Sequence, residues 1–398
     1  MSENIQESTL TNLQKLLIFT LVLFTFVIGT SEFVIMGLLT EISTELKIAI
    51  SKSGTLVSGF AIAFAGGTPI LTALVSKFKK HKVMFSLIVI FILGNILSAL
   101  AGSYLILLIS RVLTAIVSGV LTALCMSITS DTMPRPKQPV IIASIFAGFT
   151  IASVIGVPLG TFIGQLSNWR LTFCLTALLG VIVFFMSIFV LPRNLHGNKS
   201  SIMEQLLLFT HSKIILAFAI PVFSFAGTYV IYTYITPIIE EGLSVPSIFV
   251  SIILFVYGLF SIVSNYLSGK IADNNGISKL RYVLIIQAVI LTSLYFTINS
   301  TIAGLVSLML MALTMFAVNA TMQLYLMNYA GAHFPELKDF ASSLTPIAIN
   351  IGIAVGSSLG SYVVQEKGLA HLSWVGGFGA LFAAILTFSI YELDKRKN

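Results

Sequence analysis

The chain has 398 residues, of which 57% are hydrophobic and only 9% charged. Soluble domains carry about a quarter charged residues, so this composition excludes water as the main solvent and leaves lipid. The formal charge of +7 is spread along the chain rather than gathered into one basic stripe, which excludes a nucleic-acid partner.

Crossing a bilayer as a helix takes about 20 apolar residues. Runs of that kind predict an all-α membrane protein with twelve spans, at 16–39, 53–75, 83–101, 104–130, 140–166, 171–191, 214–239, 248–269, 282–299, 301–327, 341–364 and 373–391. The segment 192–213 is the longest polar connection and divides the chain into two six-helix bundles, 1–191 and 214–398. The first apolar run exceeds the roughly 7–15 residues of a signal-peptide core, and an uncleaved first span is expected. It holds one acid, Glu32.

The loop after the second span carries Lys77, Lys79, Lys80 and Lys82. In the fourth span, Arg111 interrupts the apolar run from Ser103 to Met126. An ionised guanidinium in hydrocarbon needs a partner or a cavity. Glu32 lies about 10 Å and Arg111 about 9 Å from the same side of the membrane, so the two can meet. Burial disfavours a carboxylate's charge and a neighbouring cation favours it, which makes Glu32 a candidate proton site held in check by Arg111. The same pair also fits a structural role, fixing the first span against the fourth.

In the fifth span, Gly148, Gly156, Gly160 and Gly164 at multiples of four residues allow close helix approach, and Pro158 removes a backbone donor. Alone, this is a packing pattern. In the seventh span, Phe225, Tyr229 and Tyr232 share one helical face; Tyr234, near the span's end, reads as an interfacial belt residue. Between the eighth and ninth spans stand Gly269, Asp273 and Gly276; the glycines suit a tight turn, and the acid could accept hydrogen bonds from a helix N-terminus. Asn319, Gln323 and Asn350 place neutral polar groups at membrane depth, either for a ligand or for neighbouring helices. With the aromatic face and Met36 they form the expected site for a planar or hydroxylated small molecule. Cys125 and Cys174 sit in apolar segments without ligand spacing, so no metal and no cofactor is expected.

Charge sets the orientation. With both termini cytoplasmic, the inner loops hold most of the basic residues, including Arg135, Arg193, Lys199, Lys338, Arg396 and Lys397, while the outside holds Lys47, Lys52, Arg170 and Lys367. The halves also repeat: residues 154–165 align with 354–365, matching Gly156, Gly160 and Gln165 to Gly356, Gly360 and Gln365. A repeat in one topology implies two bundles around a central cavity.

The order Gly269, Ile271, Ala272, Asp273, Gly276 resembles the cytoplasmic-gate motif of the major facilitator superfamily. The first-half copy departs from it with Thr72, Ser76 and Lys79, which leaves a first-half acidic gate in doubt. The fifth-span glycines with Pro158, followed by Trp169, Arg170 and Phe173, resemble the antiporter motif of drug:proton antiporters. The stretches 29–39 and 225–237 are similar to the bacterial purine-nucleoside and arabinose/sugar efflux branch of that family, whose first-span acid and fourth-span arginine are matched by Glu32 and Arg111. The resemblance implies a monomeric inner-membrane antiporter that exports a small organic molecule such as a drug, sugar or nucleoside against protons by alternating access. Uptake by symport or facilitated diffusion is the alternative within transport, and a non-transporting sensor the alternative outside it. No nucleophile–base pair or phosphate loop at membrane depth points to an enzyme.

Overall fold

A computed structural model describes residues 10–134, 137–195, 207–273, 275–334 and 338–395. Arg135, Lys199, Arg396, Lys397, the side chain of Lys338 and the middle of the 192–213 connection lie outside the described residues. Among the described residues, twelve helices are long and apolar enough to cross a membrane, from Asn12–Gly37 to Leu369–Lys395. Twelve alternating spans put both ends of the chain on one face, here called the terminal face; the other is the distal face.

The first span begins before its apolar pattern. Thr11 and Gln14 form a reciprocal capping box that satisfies two orphan backbone donors and starts the helix at Asn12. The fifth span contains a π turn at Ala152–Gly156, just before Pro158, whose ring nitrogen has no hydrogen to donate. The turn has a geometric use. A stripe at four-residue spacing drifts about 40° per step around an α-helix, and one extra residue turns it back by about 100°. Gly148 meets Thr25 and the Val22 carbonyl, Gly156 meets Thr30, Gly160 meets Val34 and Gly164 meets Leu38. The whole stripe therefore stays on the first span.

The second half repeats this packing. Gly352, Gly356 and Gly360 of the eleventh span press on the backbone at Val222, Ala226 and Val230 of the seventh. The eleventh-span helix, Lys338–Lys367, has no π turn. Its glycine stripe is shorter, so the drift stays small.

Two spans break where the sequence predicts continuity. The seventh helix ends at Tyr232 and resumes as Ile235–Pro237 and a π turn, Ile238–Gly242. The tenth divides into Thr301–Met315 and Asn319–His333. The second break has no proline or glycine. Its freed amides are taken by the eighth span instead: Phe316 N–H donates to Ser264 Oγ (3.0 Å), Ala320 N–H donates to Ser268 Oγ (2.9 Å), and that hydroxyl donates to the Ala317 carbonyl (3.3 Å).

One apolar cluster packs the terminal part of the first six spans around residues such as Phe24, Phe91 and Val120. A second joins the distal part of those spans, with Met36, Leu56 and Trp169, to the second six spans. The halves therefore meet distally. Hydrogen bonds seal the contact: Thr236 Oγ1 donates to the Met36 carbonyl (2.9 Å), and both Tyr234 Oη (3.3 Å) and Ser361 Oγ (2.8 Å) donate to the Ser51 carbonyl. Tyr234 is fully buried, so the belt expectation is corrected. The break after Tyr232 turns its ring into the seam, against Gly54, where even a methyl group would not fit.

Gly148→Ala places a methyl 2.6 Å from the Val22 carbonyl, whereas nothing lies within 4 Å of one at Gly66. The first change is expected to destabilise the protein by about 1–3 kcal/mol through overpacking. Gly66→Ala is expected to be neutral or to stabilise by up to about 1 kcal/mol through helix propensity. Melting temperatures of the purified variants in one detergent compare the two.

Candidate functional site: a membrane-depth cavity between the halves

A cavity of about 460 Å³ lies between the two sets of six spans. That volume suits a drug-sized molecule. Its lining includes Ile142 and Thr345, near the terminal ends of their spans, and Glu32 near the distal end of the first. The cavity thus rises from the terminal side and stops below the distal seam.

Arg111 is 1% exposed. Its guanidinium donates from Nη1 to the Ser31 carbonyl and from Nη2 to the Glu32 carbonyl (3.0 Å), and stacks 4.4 Å from the centre of the Phe60 ring. Hydrogen bonds to a charged group contribute about 1.5–3 kcal/mol each. Backbone carbonyls have a second lone pair free even inside a helix, so they can take this cation. The expectation that the two opposite charges meet is corrected in one respect. The sequence-based pair is brought together, but through the backbone of Glu32; no described cation lies within 4.0 Å of its carboxylate. That side chain, 7% exposed, faces the cavity. Beside it, Ser31 Oγ donates to Asn95 Oδ1 (2.9 Å), a fully buried third-span residue that sequence reasoning missed.

The opposite wall comes from the second half. Phe225 stacks on Tyr229 (5.9 Å between centroids), Tyr229 meets Tyr232 edge-on (5.3 Å) and Tyr232 stacks on Tyr257 (5.1 Å). Phe316, placed by the break in the tenth span, lies 6.1 Å from Phe225. Asn319, Gln323 and Asn350 all line the cavity. Met36 does not: it is 1% exposed and packed in the distal cluster, with its carbonyl in the seam. It lies four residues beyond Glu32, one turn further along the span, which carries it past the cavity's end. Tyr257 was missed because it is one of several aromatics along the eighth span, and Phe316 because it is a lone aromatic in an apolar run.

The gate residues stand apart from the cavity. Asp273 Oδ atoms make no hydrogen bond among the described residues; Lys279 Nζ donates instead to the Asp273 carbonyl (2.7 Å). The left-handed position of the turn is Asn275 (φ 62°), so Gly276 supplies close packing against Thr321 rather than backbone freedom, and Gly269 has open space around it. On the same face Lys80, read from sequence as an orientation charge, is buried and donates to Ser127 Oγ (2.6 Å) and to Asp131.

The family profile of the Major Facilitator Superfamily matches residues 21–336. The chain belongs to this superfamily. It is 36% identical over 372 residues to the uncharacterized MFS-type transporter YtbD of Bacillus subtilis, covering 93% of this chain and 94% of the relative. It is 30% identical over 373 residues to the inner membrane transport protein YdhP of Escherichia coli, covering 94% of each. A solved bacterial homologue of the human lysosomal transporter Spinster has the same fold, with a TM-score of 0.78 at 14% identity over 96% of this chain and 98% of that one. As a member of the superfamily, the chain is a multi-pass membrane transporter of small molecules and not an enzyme.

At the distal seam, outside the spans, Glu41 approaches Glu240 of the second half. Each has a buried carboxylate oxygen without a hydrogen-bond partner among the described residues. Burial pushes the Glu41 carboxyl up from its ordinary 4.5 to about 7; the like charge of Glu240 adds to this, while the local backbone amide and Gln165 oppose it. The folded chain holds this proton more tightly than the unfolded one. The stability Glu41 contributes is therefore complete below pH 4.5 and is lost as the pH rises through about 7. Melting curves across that window are expected to show a slope that Glu41→Gln flattens.

Proposed function

We propose that this transporter is a proton-coupled exporter of a small organic molecule of the drug, sugar or nucleoside class, working in a bacterial inner membrane. The observation that carries the reading is the Glu32 carboxylate, which is open to the central cavity while Arg111 is committed to backbone carbonyls. A proton can reach or leave such a group without breaking an ion pair. The cation beside it keeps the charged form accessible, so both states can be visited in one cycle.

In this reading the terminal face is cytoplasmic, as the distribution of lysine and arginine favours. The cavity then faces the cytoplasm and loads substrate there. The six-helix halves 1–191 and 214–398 rock about the cavity, with 192–213 as the tether. The glycine stripe from Gly148 to Gly164, with Pro158, serves as the antiporter motif by holding the fifth span on the span that carries Glu32. Gly269, Asp273 and Gly276 form the cytoplasmic gate. The Asp273 carboxylate, which makes no hydrogen bond among the described residues, fits a gate that is parted while the cavity is open on that side. A proton arriving from outside occupies Glu32, substrate leaves outward, and the emptied carrier returns. The transporter acts as a monomer and uses no cofactor.

Inside-out vesicles with an acid lumen test this. Chloramphenicol, adenosine or arabinose, whichever is carried, should discharge the gradient and relieve the quenching of an acridine pH probe. Glu32→Gln should lower that proton flux by at least about tenfold, within the range attributed to loss of a positioned proton-transfer group. Thermal shift with the same compound should show that binding survives. Normal gradient-driven export by Glu32→Gln removes Glu32 from coupling, and accumulation only in right-side-out vesicles reverses the direction.

A further inference from the structure

The two halves use their terminal-face cations differently. In the second half, Lys213 pairs with Asp394, Lys279 Nζ donates to the Asp273 carbonyl (2.7 Å), and Arg281 stacks 4.0 Å from the centre of the Tyr391 ring. In the first half, Lys80 is satisfied by Asp131 and Ser127. Lys79, Lys82 and Arg193 are exposed, and their side chains make no hydrogen bond or ion pair among the described residues. They are nevertheless held together. Lys80 N–H donates to the Leu195 carbonyl (3.0 Å), which ties the segment after the sixth span to the start of the third. Arg193 thereby joins the two lysines around His81, close enough for all three charges to act on that ring. Like charges gathered without an acid repel one another, and an anion placed among them reverses that cost.

We propose that Lys79, Lys82 and Arg193 bind the headgroup phosphate of an anionic phospholipid from the leaflet on the terminal face. Its acyl chains lie along the outer surface of the third and sixth spans. Those spans pack side by side, and below the charges their shared surface is apolar. Phe189 and Phe185 stand four and eight residues before Arg193 and are 78% and 56% exposed; Val89, exposed on the third span, lies beside them at similar depth. Four helical residues rise about 6 Å, so the first ring begins where the chains leave the glycerol. Charge complementarity chooses the headgroup. Basic clusters at the ends of spans attract anionic lipids, whereas a zwitterionic headgroup brings a positive charge of its own. Arginine adds a planar fork suited to phosphate oxygens. Free phosphate satisfies the cations but leaves the ring surface unused. The site stands apart from the cavity and needs no assumption about transport direction or coupling.

Native mass spectrometry of the purified full-length protein tests this by titrating dioleoyl phosphatidylglycerol against dioleoyl phosphatidylcholine, which carries the same chains. The anionic lipid should bind at least about tenfold more tightly, and the difference should shrink as salt is raised. Lys79→Gln, Lys82→Gln and Arg193→Gln should each weaken it about fivefold, and the triple variant should bring it to the level of phosphatidylcholine. Removing three charges from the same face of the second half, by Lys270→Gln, Lys279→Gln and Lys395→Gln together, should change binding less than about twofold. Phe189→Ala should weaken both lipids alike, because both use the ring surface. Inorganic phosphate at the same concentration should not displace the anionic lipid. The proposal is overturned if the two lipids bind equally, or if the first-half triple variant keeps the preference. It is also overturned if the second-half triple variant loses as much, or if inorganic phosphate competes on equal terms, which would make this a free-anion site.

Discussion

The structure depends on where one guanidinium finds its hydrogen bonds. Arg111 is buried at membrane depth, and an unpaired cation there would cost several kcal/mol. Its two terminal nitrogens donate to the carbonyls of Ser31 and Glu32 and the ring faces of Phe60 and Phe173 lie beside it, while Nε has no hydrogen-bond partner among the described residues. This fastens the fourth span to the first through main chain. The neighbouring acid is left with its side chain free, held near a positive charge without being locked to it. A direct ion pair would have fixed the spans equally well, but every protonation of Glu32 would then have broken the bond that holds them together. In the proposed proton-coupled cycle, separating the two tasks lets the scaffold stay fixed while the carboxylate changes state.

The glycine stripes extend the same economy of means to the whole molecule. In each half, a fifth-position span lies close against a first-position span because small residues face it. The two stripes are related by the internal repeat, and the contacts they make are related in the same way: Gly156 and Gly160 meet Thr30 and Val34, while Gly356 and Gly360 meet Ala226 and Val230. The asymmetry is equally informative. Of the two stripe-bearing spans, only the fifth carries a π turn, just before Pro158, and it lies beside the span that carries Glu32. The repeated framework is thus ordinary packing, and the departures from it gather near the cavity.

Much of this was legible in the sequence. Twelve spans follow from apolar length, and Glu32 and Arg111 stand out because a charge in such a run has few reasons to be there. The aromatic face of the seventh span could be read from helical spacing. Other features depend on contacts between distant residues. The break in the tenth span has no local signal, because its capping hydroxyl Ser264 lies 52 residues away from Phe316 on the eighth span. Without that break the positions of Phe316 and Asn319 cannot be foreseen. Met36 and Tyr234 were misplaced because periodicity identifies a helix face but not whether that face meets a cavity, a seam or lipid. Tyr257 and Asn95 are single residues whose surroundings exist only after folding.

The distal seam has its own consequence. On the first half's side its hydrogen-bond acceptors are main-chain oxygens, those of Met36 and Ser51, and the donors all come from the second half. Any residue type supplies the same carbonyl, so this closure can be remade after substitution at either position, provided the helix ends stay in place. The latch reads backbone position. Divergence in the side chains of one half can therefore retune what the carrier moves without costing it the ability to shut.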